Sequence, residues 1–324
     1  MGEYFTTDLW SSRDWLRDAT AWIDDNLERR GVTRIPTSPR QPRLRPWSTL
    51  LVVDTDHGRV WFKACAPQQR AEVPVLDALT DVAPDLVPTL WSADAERGWL
   101  LVPDQGPTLR DVADAQNITG HLSAVLRRYA RAQRASVKAV DAMAAAGVPT
   151  LRPCDLVQEW TSEGLSAEAT PALRDAAARL DAVGLPTTVQ HDDLHAGNVF
   201  VADAASASMH DSRIFDWGDT YLGNPLCSLL IPLRGPSYHF DLPADPERDA
   251  RMVRAYLACW SDVASSAELS KVLPDALLLA RVGRIIGWRR ALANATDAQK
   301  RQWSDHPMQW VKEVVAAVRS ARRR

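Results

Sequence analysis

Residues 191–200, HDDLHAGNVF, gather two imidazoles, two carboxylates and an amide before the chain turns apolar. One chemistry open to them is metal binding. TTVQ leads into His191 as a short strand, and an extended chain would carry His191, Asp193 and His195 on one face. Imidazole and carboxylate suit zinc, manganese or iron, and a transition-metal hydrolase would be the natural function. Against it, Ala196 and Gly197 imply a loop by that point, and no second dense His/Asp cluster completes a coordination shell.

The same residues fit a second frame. His191, Asp193 and Asn198 stand at the spacing by which protein kinases use the aspartate to take the substrate hydroxyl proton and the asparagine to hold magnesium. NVFVAD and SRIFDWGD are apolar runs joined by polar AASASMHD, and they read as an antiparallel hairpin. Such pairing sets the start of the first strand beside the end of the second. Asn198 and Asp216 then become neighbours, an amide oxygen and a carboxylate of the kind magnesium prefers, with phosphate oxygens completing the shell.

HDDLHAGNVF followed by IFDWGD resembles the signature of the aminoglycoside phosphotransferase and choline kinase family. The resemblance covers about Arg40 to Leu230 and is specific between Val189 and Asp219. It implies a protein-kinase-like fold, ATP and Mg2+ as cofactors, and transfer of the γ-phosphoryl group to a hydroxyl of a small molecule: an antibiotic such as an aminoglycoside, an amino alcohol, or a sugar. It further implies Asp193 as catalytic base, Asn198 and Asp216 as magnesium ligands, and His191 as a brace for the loop. His195 falls where protein kinases carry a lysine facing the transferred group. Asp192 occupies a position often glycine in this family, and is expected to face water. Asp219, just past Asp216, reads either as a substrate-facing acid or as a cap for the next segment.

Phosphoryl transfer is mostly positioning and charge neutralisation, so a cation for the phosphates is also needed. The chain holds 38 lysines and arginines, of which only five are lysine, and one of these, Lys63, lies in VWFKAC as in the family's strand lysine. Glu72 follows at a distance suited to a helical partner, with Asp77 as a substitute because Pro74 disturbs the helix start. No glycine-rich GxGxxG loop precedes Lys63. Arg45 and Ser48, in RLRPWS, occupy the expected phosphate-side place, as donors or as a solvated arginine and a turn serine. WLLVPDQG resembles the strand that joins the lobes and offers backbone groups to adenine, ending at Asp104 on the nucleotide side.

These residues need elements to hold them. SSRDWLRDATAWIDDNLERRG reads as an amphipathic helix capped by Ser11 or Ser12, with Trp15, Ala19, Trp22, Ile23 and Leu27 on one face and Gly31 at its end. Thr33 to Ser48, rich in proline and arginine, suits edge strands or loops. STLLVVDTDHGRVWFKAC is a hairpin about His57 and Gly58. Beyond Asp104 the pattern turns helical: one long helix from His121 to Gly147, another ending at Gly184, and three segments from about Pro246 onward. Trp260, Trp288, Trp303 and Trp310 read as faces on which a sugar or ring could stack or, at helical spacing and in preference, as core or helix contacts.

The fold class is therefore α+β, a protein-kinase-like two-lobed fold. A small β-rich nucleotide-binding lobe (1–104, with its leading helix) precedes a larger, mostly helical catalytic and substrate-binding lobe (105–324). A length of 324 residues favours two lobes, and a formal charge of −3 gives no reason to expect nucleic acid or a membrane as partner. Cys65, Cys154, Cys227 and Cys259 form no CxxC pair and read as reduced core thiols, which suits the cytoplasm. MGEYFT fits a loose myristoylation pattern at Gly2, and no stretch suits a signal peptide or a membrane span. Two alternatives stand beside the kinase: a catalytically silent kinase-like module that binds a nucleotide or metabolite, and the metal hydrolase. The phosphate acceptor and the oligomeric state are not legible.

Overall fold

A computed structural model of the protein describes residues 6–202 and 209–323. Gly2, Arg324 and most of the segment joining the expected hairpin lie outside the described residues. Helices α1 (Thr6–Ser11) and α2 (Arg13–Glu28) lead into strands β1 (Arg40–Leu44), β2 (Ser48–Thr55) and β3 (Gly58–Cys65), helix α3 (Glu72–Val82), and strands β4 (Ser92–Asp94) and β5 (Trp99–Pro103). The five strands form one antiparallel sheet in the order β1-β2-β3-β5-β4.

Helix α2 starts where Ser12 Oγ accepts a hydrogen bond from Trp15 N at 3.2 Å, and Gly31 (φ +68°) reverses the chain after it. Its apolar stripe, Trp15, Ala19, Ile23 and Leu27, is buried against Leu51, Val53, Val60, Phe62 and Leu101 of the sheet. Each large apolar side chain so buried contributes about 1.5–3 kcal/mol. Strand alternation then decides where Lys63 goes. Val60, Phe62 and Ala64 face α2, so Lys63 stands on the opposite face, in register with Leu50 on β2 and Leu100 on β5. Pro74 neither kinks α3 nor delays it: the helix begins at Glu72, and a proline in the first turn lacks only an N–H that would have no helical partner.

The helical lobe contains α4 (Leu109–Val112), α5 (Ile118–Ser136), α6 (Val140–Ala145), β6 (Thr150–Leu151), α7 (Pro153–Ser162), α8 (Thr170–Asp181), β7 (Thr188–Gln190), β8 (Val199–Phe200), β9 (Arg213–Ile214), β10 (Tyr221–Gly223), α9 (Leu230–Phe240), α10 (Pro246–Leu257), α11 (Ser266–Leu292), α12 (Asp297–Trp303) and α13 (Asp305–Arg322). Two small sheets, β6-β10-β7 and β8-β9, are set among these helices. The fold is the two-lobed α+β arrangement expected.

Several details differ from the sequence reading. The long helix expected to run to Gly147 is two helices, because Ser136 turns inward, donating to Gln133 O at 2.8 Å and accepting from Val189 N at 3.3 Å. Four helices, not three, follow Pro246, since Thr296 and Gln299 form a capping box that starts α12. Cys154 is exposed near the start of α7, so it is not a core thiol. Trp260 is buried in the core, whereas Trp288, Trp303 and Trp310 are half-buried. Among the described residues no helix is long and apolar enough to cross a membrane.

Candidate active site

The loop after β7 is fixed from below by a buried polar network. Tyr129 Oη on α5 accepts from His191 N at 2.8 Å, and Gln133 Nε2 donates to Val189 O at 2.9 Å. His191 is fully buried, its ring 4.7 Å from that of Trp217. Its Nδ1 accepts from Asp193 N at 3.3 Å, so Nε2 carries the proton and donates to Phe215 O at 2.8 Å. Burial lowers the imidazole pKa, which keeps it neutral in this role. One ring thus ties the loop to Phe215, the residue that follows β9.

Asn198 closes the loop. Its Nδ2 donates to Asp193 O at 3.0 Å, which identifies Oδ1 as the atom available to a ligand. Val199 pairs with Ile214, and Phe215 N donates to Asn198 O at 3.0 Å. The chain therefore delivers Asn198 and Asp216 to neighbouring ends of a two-residue ladder, as the hairpin reading anticipates. Asp216 adopts a left-handed backbone (φ +64°), a conformation that aspartate tolerates better than most residues.

Lys63 reaches across from the sheet to meet both acids. Its Nζ lies 2.5 Å from Glu72 Oε2 and 2.6 Å from Asp216 Oδ1. The partner on α3 is Glu72, not Asp77. Burial alone would lower the Lys63 pKa, but the carboxylates of Asp216 and Glu72 outweigh it and raise it. Burial raises the Glu72 pKa, while Asp216 is pulled below the usual carboxylate range because Lys63 and Arg43 overcome its own burial. Lys63 and Asp216 thus form a charged contact that links the two lobes.

Sequence reasoning missed Arg284. This arginine, on α11, is 7% exposed and touches three acids. Nη2 lies 3.2 Å from Asp193 Oδ1, and Nη1 lies 3.3 Å from Asp219 Oδ2 and 2.7 Å from Asp192 O. Asp192 does not face water. It is buried, its Oδ2 is 3.5 Å from Arg284 Nη1 without a hydrogen bond, and burial raises its pKa well above the ordinary value against the opposing pull of Arg284. Gly287 brings α11 close enough that a Cβ there would sit 3.5 Å from Asp192 Oδ2. Asp192 is also left-handed (φ +62°), a conformation glycine adopts without cost. Asp219 is held between Arg284 and Gln69, whose Nε2 donates to Asp219 Oδ1 at 3.2 Å; it does not cap the next segment.

The remaining expected residues divide. Ser48 is buried and accepts from Arg43 Nη2 at 3.1 Å. Arg43, also missed, points inward to within 3.9 Å of Asp216 Oδ2. Arg45 turns away: β1 ends at Leu44, and the Arg45 guanidinium lies over the Trp303 ring at 5.5 Å. Trp47, in the same turn, packs edge-on against Trp288 and Trp303, so an aromatic contact to the helical lobe stands where a glycine-rich loop was not found. Asp104 accepts from Gly106 N at 3.0 Å and lies 3.7 Å from Arg59, at the rim of a cleft. His195 accepts from Gly197 N at its Nδ1, which directs Nε2 to Asp193 Oδ2, 3.7 Å away.

Two clefts meet at this constellation. One, of about 530 Å³, lies under the sheet between apolar walls that include Leu50, Trp61, Leu100 and Phe215, with Lys63 and Asp216 at its inner end. The other, of about 520 Å³, opens on the far side of Asp193 and His195. A smaller space of about 90 Å³ between them is bounded by Lys63, Asp193, Asp216 and Arg284. An amide oxygen and a carboxylate beside a cationic, partly apolar cleft suit magnesium carried in with phosphates. They do not suit the transition-metal site, because both nitrogens of His191 are committed to the backbone. Among the described residues no group of three or more His, Cys, Asp or Glu side chains is arranged to hold a metal ion.

Comparison with curated protein sequences finds no match. Among solved structures the fold is similar to a macrolide 2'-phosphotransferase type I, at 15% identity and TM-score 0.54 over 96% of this chain and 99% of that one. It is similar to a choline kinase from Streptococcus pneumoniae, at 12% identity and TM-score 0.59 over 93% and 99% of the two chains. It is likewise similar to a putative aminoglycoside phosphotransferase from Ralstonia eutropha, at 13% identity and TM-score 0.58 over 94% and 98%. These likenesses establish the kinase-like fold. Residues 47–269, which carry every acid and cation from Lys63 to Asp219, match the phosphotransferase enzyme family, and the chain belongs to that family.

Proposed function

We propose that the chain transfers the γ-phosphoryl group of ATP, with Mg2+, to a hydroxyl group of a small molecule. The observation that carries this reading is the contact of Lys63 with both Glu72 and Asp216, which sets a buried cation and a carboxylate beside Asp193 and Asn198. Nucleotide enters the cleft under the sheet, with Asp104 and Arg59 at its rim and the lobes divided near Asp104. Asn198 Oδ1 and Asp216 would hold magnesium, and Lys63, with Arg43 behind it, would meet the phosphates. When bound, the nucleotide brings the transferable group and magnesium the positive charge that offsets it.

Asp193 then orients the acceptor hydroxyl. Arg284 occupies the Oδ1 side of its carboxylate, which leaves Oδ2 to accept the proton. The acceptor oxygen forms the new O–P bond as the β,γ-bridging O–P bond of ATP breaks. ADP leaves with the electron pair, and the proton passes to Asp193. His195 Nε2–H, on the same side as Oδ2, is placed to donate to the transferred group. His191 acts only as a brace.

The retention of base, amide, carboxylate and lysine in one place speaks against a silent nucleotide-binding module. The test is an ATP- and magnesium-dependent phosphorylation assay across hydroxyl compounds, with Asp193→Ala as control. Turnover should vanish in that variant while nucleotide binding persists. Unchanged phosphorylation would refute the role of Asp193.

A further inference from the structure

The cleft of about 520 Å³ beyond Asp193 and His195 reaches the base from the side opposite the nucleotide cleft. We infer that its acceptor is an uncharged hydroxyl compound presenting a ring face, and not a polyamine or a quaternary ammonium alcohol. The inference rests on the phosphotransferase reading above and narrows its substrate class.

The first ground is the charge within the cleft. A polyamine needs several unpaired carboxylates, one for each desolvated ammonium group. The lining acids are Asp193, Asp305 and Glu313. Glu313 lies 2.6 Å from Arg234 and 3.3 Å from Arg281, and Asp193 lies 3.2 Å from Arg284. Among the described residues Asp305 alone of the three has no ion-pair partner. Asp219, Asp241, Asp245 and Glu247 line none of it. Asp245 instead caps α10, accepting from Glu247 N and Arg248 N.

The second ground is the state of the aromatic faces. A quaternary ammonium group is held by the open faces of aromatic rings. Here the tryptophan faces are taken, and a single tyrosine does not make a cage. The Arg234 guanidinium lies 4.6 Å over the Trp310 ring, and Trp288 is stacked with His306 at 4.4 Å and with Trp303 at 5.9 Å. An incoming ammonium group would have to displace a resident cation. What the cleft leaves accessible is Tyr238, 79% exposed, beside Ile231 and Gly235. A tyrosine ring over an apolar floor stacks on a ring without requiring its charge. Arg234 and Arg284 are paired with Glu313 and Asp193, so these four side chains offer a cation no free partner.

The experiment titrates the full chain, in the presence of ADP and Mg2+, with phenyl β-D-glucopyranoside, salicin, kanamycin and choline by calorimetry. The same compounds are then offered to the chain with ATP for phosphoryl transfer. The uncharged glycosides should bind at least about tenfold more tightly than kanamycin or choline, with little dependence on salt. Tyr238→Ala should weaken glycoside binding, and Arg234→Glu should improve that of kanamycin. Preferential binding or phosphorylation of kanamycin or choline would overturn the inference while upholding the phosphotransferase reading, and so would failure of both glycosides to bind. A glycoside that binds and loses affinity in Tyr238→Ala, yet receives no phosphate, would sink the phosphotransferase reading instead.

Discussion

Arg284 Nη2 lies 3.2 Å from Asp193 Oδ1, so the proposed base is held by a buried arginine from a helix far along the chain. The contact leaves one carboxylate oxygen toward the acceptor side and fixes its direction. Replacing Arg284 by Met takes from Asp192, Asp193 and Asp219 the arginine within ion-pair distance of all three, and leaves Arg290 as a more distant cation. Removing one partner of such a buried network costs about 3–5 kcal/mol. Denaturant unfolding should show a loss of that size. Arg284→Lys, which keeps the charge but not the fork, should fold and lower kcat by about 10–100-fold, since misplacement of a reacting group by an ångström costs about that much. If Arg284→Lys lowers stability and leaves kcat and its pH profile at the wild-type values, the arginine is structural only.

Lys63 touches Glu72 and Asp216 at nearly equal distances, 2.5 and 2.6 Å. Losing Glu72 is therefore not equivalent to losing Lys63. Glu72→Gln leaves Lys63 on Asp216, whereas Lys63→Met removes the cation altogether. In steady-state kinetics Lys63→Met should cost about 10²–10³ in kcat, the loss seen when a preorganised charge-stabilising group is removed, and Glu72→Gln should cost less. Equal effects would mean that Glu72, not the cation, sets the site.

Asp192 yields a pH-dependent prediction. Its folded-state pKa is raised above the ordinary 3.8, so the folded protein holds this proton more tightly than the unfolded chain. The stability that follows is fully present below 3.8 and is lost as pH rises through the folded value. Asp192→Gly removes the buried carboxyl and relieves a left-handed aspartate, a strain of about 1 kcal/mol. The variant should gain on wild type as pH rises from about 4 toward neutrality. Parallel curves for the two proteins would contradict the burial argument.

His239 behaves in the opposite sense. Burial, with His195 and Arg110 nearby and only Asp193 opposing, depresses its pKa from 6.5 to about 4. Tyr238 packs edge-on against the same ring. A base with a depressed folded pKa contributes stability above 6.5 that fades as pH falls toward about 4. The imidazole is half-buried, so solvent screening reduces the effect. Chemical unfolding between these limits should show wild type losing stability relative to His239→Phe on acidification. A constant difference would assign His239 an ordinary pKa.

How far the site could be read in advance follows from the distances involved along the chain. His191, Asp193 and Asn198 belong to one loop, and their spacing is local, so the sequence displays them together. Asp216 is reached through one short hairpin, and Lys63 through the alternation of a strand whose other face is apolar. Glu72 required the first turn of α3, which Pro74 obscured. Arg284 had no such route. It lies in an arginine-rich helix, and only packing of α11 through Gly287 against the loop reveals its partners. The same packing explains why Asp192, in a polar run, was misjudged as solvent-facing. Arg43 stands near Asp216 where the sequence suggests Arg45, because the end of β1 at Leu44 is a backbone event without a residue-type signal.

The central claim is that Asn198 and Asp216 grip one magnesium ion together with nucleotide phosphates. Calorimetric titration of the protein with ADP, with and without Mg2+, tests it in wild type and in Asp216→Asn. Magnesium should tighten ADP binding in wild type by at least about tenfold, and should do nothing in the variant. Binding of ADP to wild type that ignores magnesium would contradict the account.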